Sequence, residues 1–91
     1  MRRLVFTRQA AKSPRKLAGS HPEAARMIAL RIEGLRRDPM PRNSTRMLGY
    51  PCHRIRVGDY RIIYEFDNER LSVTLVEKRE AIYRRLRRRH S

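Results

Sequence analysis

Residues 53–66 read HRIRVGDYRIIYEF, and this stretch decides the fold, because apolar residues alternate with polar ones on both sides of Gly58-Asp59. Glycine at the first of two central positions favours a two-residue type II′ hairpin turn. Such a turn also fixes the pairing of the two strands that flank it. The predicted cross-strand pairs are Val57 with Tyr60, Arg56 with Arg61, Ile55 with Ile62, and Arg54 with Ile63.

The two faces of this predicted hairpin differ in chemistry, because successive side chains of a strand point to opposite faces. The predicted core face carries Ile55, Val57, Tyr60, Ile62, Tyr64 and Phe66. The opposite face carries Arg54, Arg56 and Arg61. Like charges directly opposite each other are destabilising, so we expect this face to bind an anion. The alternative is that these arginines extend into solvent or pair with Glu65 and Glu77.

A third strand follows residues 67–70, where period-two alternation resumes. Matching apolar residues predicts the pairs Phe66 with Leu71, Tyr64 with Val73, and Ile62 with Leu75. This register places Arg61 beside Val76, on the same face as Thr74 and Lys78. We therefore expect Lys78 to join the arginines.

The first half of the chain predicts a short strand and two helices. The strand covers residues 3–6, and Thr7 caps a helical stretch through Leu17 that is kinked or split at Pro14, which lacks an amide hydrogen. Gly19 ends this stretch, and Ser20 with Glu23 forms a capping box for the second helix, with Pro22 in its first turn.

The second predicted helix is amphipathic and about 17 residues long. Its apolar stripe is Ala24, Ile28, Ile32 and Leu35. Asp38-Pro39 stops it. Residues 40–49 are expected to form a surface loop with a short strand near residues 46–48.

Length and composition limit the class of protein. The 91 residues suit a single domain, residues 1–91, and no apolar stretch is long enough to span a membrane, so a cytoplasmic protein is expected.

Cys52 is the single cysteine and is expected to be a buried free thiol. The 23 basic and nine acidic residues give a net charge of +14, and arginine suits bidentate phosphate contacts. A polyanionic partner is expected, although a solvated basic surface would explain part of the excess.

The histidines and the C-terminal segment add three expectations. His53 shares the core-facing parity of Ile55, and the three histidines lack metal-ligand spacing, so no metal and no cofactor is predicted. Residues 80–89 are expected to form a short basic helix or tail. Tyr83, four residues after Arg79, either stacks on a base or packs as a core residue; spacing alone leaves both open.

The chain resembles the RelE-type toxins of the RelE/ParE toxin–antitoxin superfamily. The resemblance rests on residues 48–51, 54–65, 76–79 and Tyr83, and it covers nearly the whole chain. It implies an α+β, RelE-like microbial-ribonuclease-type fold: a short N-terminal strand, two helices, an antiparallel β-meander and a short C-terminal helix or tail.

The resemblance also implies a function. RelE-type members cut messenger RNA in the ribosomal A site by metal-free attack of a 2′-hydroxyl, which implies a ribosome-dependent endoribonuclease. The catalytic residues so implied are Arg56, Arg61, Arg79 and Tyr83, and the substrate-binding residues are Arg54 and Lys78. The expected partners are the ribosome, messenger RNA and a small acidic antitoxin in a hetero-oligomer, which alone would bind operator DNA.

Two features qualify this expectation, and two alternative functions stay open. Well-known RelE members carry lysines where Arg54 and Arg56 stand, and the segment from Arg79 to Tyr83 is shorter here.

The antitoxin-binding residues expected in the C-terminal segment are Ile82, Arg85 and Leu86. The alternatives are a ParE-like poison of DNA gyrase and a noncatalytic basic nucleic-acid-binding module or corepressor.

Overall fold

The computed structural model describes residues 1–78, apart from the side chains of residues 13–15. The elements are β1 Arg3–Phe6, α1 Arg8–Ser20, α2 Pro22–Arg37, β2 Ser44–Arg46, β3 His53–Val57, β4 Tyr60–Phe66 and β5 Arg70–Lys78. The five strands form one sheet in the order β1-β5-β4-β3-β2, in which β1 runs parallel to β5 and the other neighbours are antiparallel. This confirms the predicted α+β fold and adds a parallel edge strand to the meander. The predicted C-terminal helix or tail, residues 80–89, lies outside the described residues.

Helix α1 runs without interruption from Arg8 to Ser20, so the predicted split at Pro14 is wrong, and the helix ends one residue beyond the predicted Gly19. The helix starts as expected, because the Thr7 hydroxyl accepts a hydrogen bond from the amide of Ala10 at 3.2 Å. An interior proline costs a helix about 3 kcal/mol. Ala10 and Leu17, on either side of Pro14, are both buried in the core, and their burial favours one continuous helix over two.

Helix α2 begins at Pro22 without the predicted capping box. Since α1 extends to Ser20, the Ser20 hydroxyl donates to the carbonyl of Lys16 at 3.0 Å instead of capping α2. His21 takes the cap position and makes no side-chain capping bond. The predicted end of the helix is confirmed, since Asp38 follows its last residue.

Neither helix in the described residues is long and apolar enough to cross a membrane.

Both helices lie on one face of the sheet and cover the apolar side of the β3–β4 hairpin. The core that they enclose contains the predicted helix positions Ile28, Ile32 and Leu35. Tyr64 is fully buried at its centre, and its phenol donates to the carbonyl of Pro39 at 2.6 Å. This bond ties the loop after α2 to the middle of the sheet.

The hairpin register is confirmed at all four predicted pairs. The next register is confirmed only in part: Phe66 pairs with Leu71 and Tyr64 with Val73, but the prediction for Ile62 is wrong. Ile63 pairs with Leu75, which leaves Thr74 as an extra residue in a β-bulge. The buried Thr74 hydroxyl donates to the carbonyl of Ile63 at 3.0 Å and fills this irregularity.

The bulge shifts every later pair in β5 by one residue. Ile62 therefore faces Val76, Arg61 faces Glu77, and Tyr60 faces Lys78. The short strand expected near residues 46–48 forms slightly earlier, as β2, and pairs with β3.

Candidate functional site: a cationic sheet face

Three arginines lie on the sheet face that the helices leave open, and we call Arg54, Arg56 and Arg61 the arginine face. Arg56 and Arg61 stand directly opposite each other across the hairpin, as predicted. Arg56 is exposed, and the other two are partly exposed. The Arg56 Nε donates to the carbonyl of Gly58 at 3.0 Å, which holds its guanidinium near the turn. Gly58 has a φ of +59°, so glycine suits this turn position.

A carboxylate borders the arginine face, contrary to the predicted register. Because of the bulge, Arg61 lies opposite Glu77 and not beside Val76. Oppositely charged cross-strand neighbours contribute about 0.2–1 kcal/mol. The face therefore combines one repulsive pair, Arg56 with Arg61, and one attractive pair, Arg61 with Glu77.

Lys78 does not belong to this face, so the prediction that it lies beside the arginines is wrong. It pairs with Tyr60, whose side chain points to the helix-covered side of the sheet. The other predicted site residues, Arg79, Ile82, Tyr83, Arg85 and Leu86, lie outside the described residues.

A second apolar cluster lies beside the arginine face, and the sequence interpretation missed it. Met47, Cys52, Ile63 and Leu75 are buried together, with Tyr50 against them. Cys52 is a buried free thiol, as predicted. The sequence clue was the adjacent pairs Ile62-Ile63 and Leu75-Val76, in which one residue of each pair must point away from the main core. Apolar surroundings lower the local dielectric and so strengthen the attraction between a nearby guanidinium and a phosphate.

His53 lies on the opposite side of the sheet from the arginines, as its parity predicted. Its ring stacks on Tyr64 with centroids 5.7 Å apart and contacts Phe66 at 5.1 Å. Burial, reinforced by the positive charge of Arg46, lowers the pKa of His53 below its ordinary value of 6.5. The imidazole is therefore neutral at pH 7 and cannot reach a ligand bound on the arginine face. Within residues 1–78, no cluster of three His, Cys, Asp or Glu side chains could hold a metal ion.

The order of elements and the cationic open sheet face define a small α+β domain. The family model of the ParE toxin of type II toxin–antitoxin systems matches residues 4–87. The chain belongs to this family and thus to the RelE/ParE superfamily of toxins. None of the curated proteins matches the sequence.

Solved structures of superfamily toxins share this fold. A YoeB/ParE toxin from Agrobacterium tumefaciens is 17% identical, with a TM-score of 0.75 over 87% of this chain and 99% of that one. The RelE–RelB complex from Pyrococcus horikoshii OT3 is 22% identical, with a TM-score of 0.70 over 87% of this chain and 96% of that one. The RelB–RelE complex from Methanococcus jannaschii is 26% identical, with a TM-score of 0.65 over 89% of this chain and 96% of that one.

Proposed function

We propose that this toxin is a ribosome-dependent endoribonuclease that cuts messenger RNA and so stops translation. The observation that carries the proposal is the arginine face, in which Arg56 and Arg61 oppose each other on an open sheet surface. Two guanidiniums held in register against their own repulsion are a suitable site for the two charges of a phosphodiester transition state. The resemblance to RelE-type toxins supports the same chemistry.

The proposed reaction needs no metal. The ribose 2′-oxygen attacks the adjacent phosphorus and loses its proton, and the bond from phosphorus to the 5′-oxygen breaks. The 5′-oxygen takes up a proton, and the products are a 2′,3′-cyclic phosphate and a 5′-hydroxyl. Arg61 and Arg56 would stabilise the doubly negative transition state, and Arg54 would bind the backbone beside it. By the resemblance, Arg79 would add a further guanidinium and Tyr83 would stack on the base or orient the nucleophile.

The proton transfers are the step for which the arginine face is poorly equipped. A general base works best with a pKa near the working pH, and arginine stays protonated to about pH 12. His53 would have suitable chemistry, but it lies on the other side of the sheet. We therefore propose that ribosomal RNA completes the site, and we expect free messenger RNA to be cleaved poorly.

We further propose that a small acidic antitoxin inhibits the toxin in a hetero-oligomer in the cytoplasm, and that only this complex binds operator DNA. The net charge of +14 favours such a partner. The RelE toxins from Pyrococcus horikoshii and Methanococcus jannaschii were solved in complex with RelB antitoxins, which supports the same assembly here.

The decisive experiment is toe-printing of ribosomes after brief induction of the toxin, with Arg61→Ala as the test variant. Removing one electrostatic donor costs about a 10²–10³-fold loss in rate, so A-site cleavage should disappear in this variant. Arg26→Ala, which removes an exposed arginine of α2 far from the arginine face, is the matched control and should cleave normally. Cleavage by Arg61→Ala at the wild-type rate would overturn the proposed site.

A gyrase poison is the second candidate, favoured by the match to the ParE family model. Glu77 also lowers the positive potential beside Arg61, which suits a protein surface better than a phosphate site. The two functions have different early effects in cells. Continued protein synthesis together with accumulated gyrase–DNA breaks would favour the poison over the ribonuclease.

A further inference from the structure

A cationic pocket lies on the helix side of the sheet, away from the arginine face. It has a volume of about 710 Å³ and lies between α1 and the ends of β4 and β5. Its lining residues are Gln9, Lys12, Lys16, Leu17, Ser20, His21, Tyr60, Val76, Glu77 and Lys78. We call it the lysine pocket.

All three lysines of the chain line this pocket, although the chain contains twenty arginines. Lys12 and Lys16 lie one turn apart on α1, and Lys78 reaches the pocket from the end of β5. None of the three ammonium groups forms an ion pair or hydrogen bond with another residue in the described part of the chain. A lysine ammonium is a compact point charge on a flexible stem and is a common ligand of phosphate.

The helix that carries two of these lysines lacks compensating charge. Like charges at positions i and i+4 destabilise a helix by about 0.2–0.5 kcal/mol, and α1 has no acidic residue in its first turn. Glu77 is the one carboxylate among the lining residues, and it is the cross-strand neighbour of Arg61. A bound anion would relieve the repulsion between Lys12 and Lys16.

The pocket also offers a surface for an apolar or aromatic group. Leu17, Tyr60 and Val76 are all buried core residues that reach its wall. Polar groups stand at the rim, where His21 and Ser20 are hydrogen-bonded at 3.0 Å between Nδ1 and Oγ. Apolar walls with a few charged groups are typical of ligand pockets of 300–1,000 Å³, and an aromatic wall beside cations is typical of nucleotide sites.

We propose that the lysine pocket binds a nucleotide phosphate through Lys12, Lys16 and Lys78, most directly one in the backbone of an RNA strand. The choice of RNA rests on the proposed function, whereas the phosphate chemistry rests on the pocket alone. Because the pocket and the arginine face lie on opposite sides of the sheet, the toxin would contact RNA at two separate surfaces.

The test is fluorescence anisotropy with a labelled 2′-O-methyl decauridylate across 50–200 mM salt. This probe cannot be cleaved by 2′-hydroxyl attack, so the result does not depend on whether the arginine face is catalytic. The test variant is K12Q/K16Q/K78Q, and the control R26Q/R37Q/R42Q removes the same charge from exposed arginines outside the pocket. Each phosphate contact to a single strand contributes about 0.7 to the slope of log Kd against log salt, so loss of the one phosphate proposed here should lower the slope of the test variant by about 0.7.

An equal decrease in slope in both triple variants would overturn the site, because it would mean general attraction to a basic surface. Lys16→Gln alone should raise the Kd for the RNA probe with a smaller decrease in slope than the triple variant, and it serves if the triple variant does not fold. Nuclear magnetic resonance titration with uridine monophosphate separates the sources of the phosphate. Chemical-shift changes at Leu17 and Val76 would show that a free nucleotide is enough to occupy the pocket. If uridine monophosphate causes no such changes but the decauridylate still binds, the ligand is assigned as an RNA strand. An oligoglutamate peptide serves as a probe for an acidic protein partner. If the triple lysine variant loses binding to this peptide but binds RNA as the wild type does, the proposal would be overturned in favour of a protein partner.

Discussion

The repulsion between Arg56 and Arg61 should be measurable as an unfavourable coupling in the folded protein. Cross-strand neighbours have Cβ atoms about 5 Å apart, and with this value taken for the separation of the two guanidinium charges, the charges repel in water by about 0.8 kcal/mol. Screening reduces this value with distance over about 30 Å at 0.01 M salt and about 3 Å at 1 M. The expected coupling is therefore about 0.7 kcal/mol at 0.01 M salt and about 0.2 kcal/mol at 1 M.

The assay is a double-mutant cycle of urea unfolding with Arg56→Gln, Arg61→Gln and the double variant at both salt concentrations. The cycle cancels the other contacts of each arginine, such as the bond from Arg56 to Gly58, and isolates the pair. A parallel cycle on Arg61 and Glu77, which the bulge places opposite each other, should give the opposite sign. Zero or favourable coupling between the two arginines at 0.01 M salt would refute the idea that stability is given up here for anion binding.

Two further predictions concern the helix-covered side of the sheet. Tyr64→Phe leaves the buried carbonyl of Pro39 without its donor, so the free energy of unfolding should fall by about 1–3 kcal/mol in urea titration; an unchanged midpoint would contradict the bond. The pKa of His53 is lowered on folding, so the unfolded chain binds more protons between that pKa and 6.5, and stability should fall as the pH drops below 6.5. In His53→Phe this part of the pH dependence should vanish, whereas an identical pH profile in variant and wild type would show that His53 does not titrate as described.

The hairpin could be predicted from sequence because its information is local. Gly58-Asp59 fixes the turn, and the turn fixes each pair back to Arg54. The arginine face followed from the same reasoning, since alternation alone assigns its three members. The apolar stripe of α2 was predictable for a similar reason, because period and stop signal lie within one segment.

The errors arose where distant parts of the chain decide the outcome. The bulge at Thr74 depends on how β5 fits both β4 and the second apolar cluster, and matching apolar residues cannot reveal an extra residue in one strand. It moved Glu77 next to Arg61 and Lys78 to the other side of the sheet. The continuity of α1 through Pro14 likewise depends on tertiary burial of Ala10 and Leu17, which local propensity does not include.

The parallel pairing of β1 with β5 affects how this protein folds during its synthesis. The first strand made has its partner among the last residues described, since Leu4 pairs with Leu71 and the Thr7 hydroxyl donates to the carbonyl of Thr74 at 2.8 Å. Closing so long a loop is entropically costly, and contacts of this separation form late in folding. During synthesis the helices and the β3–β4 hairpin can assemble first, while β1 waits for β5. The sheet is therefore completed only after β5 has been translated, which leaves an interval in which an inhibitor already present can meet the nascent toxin.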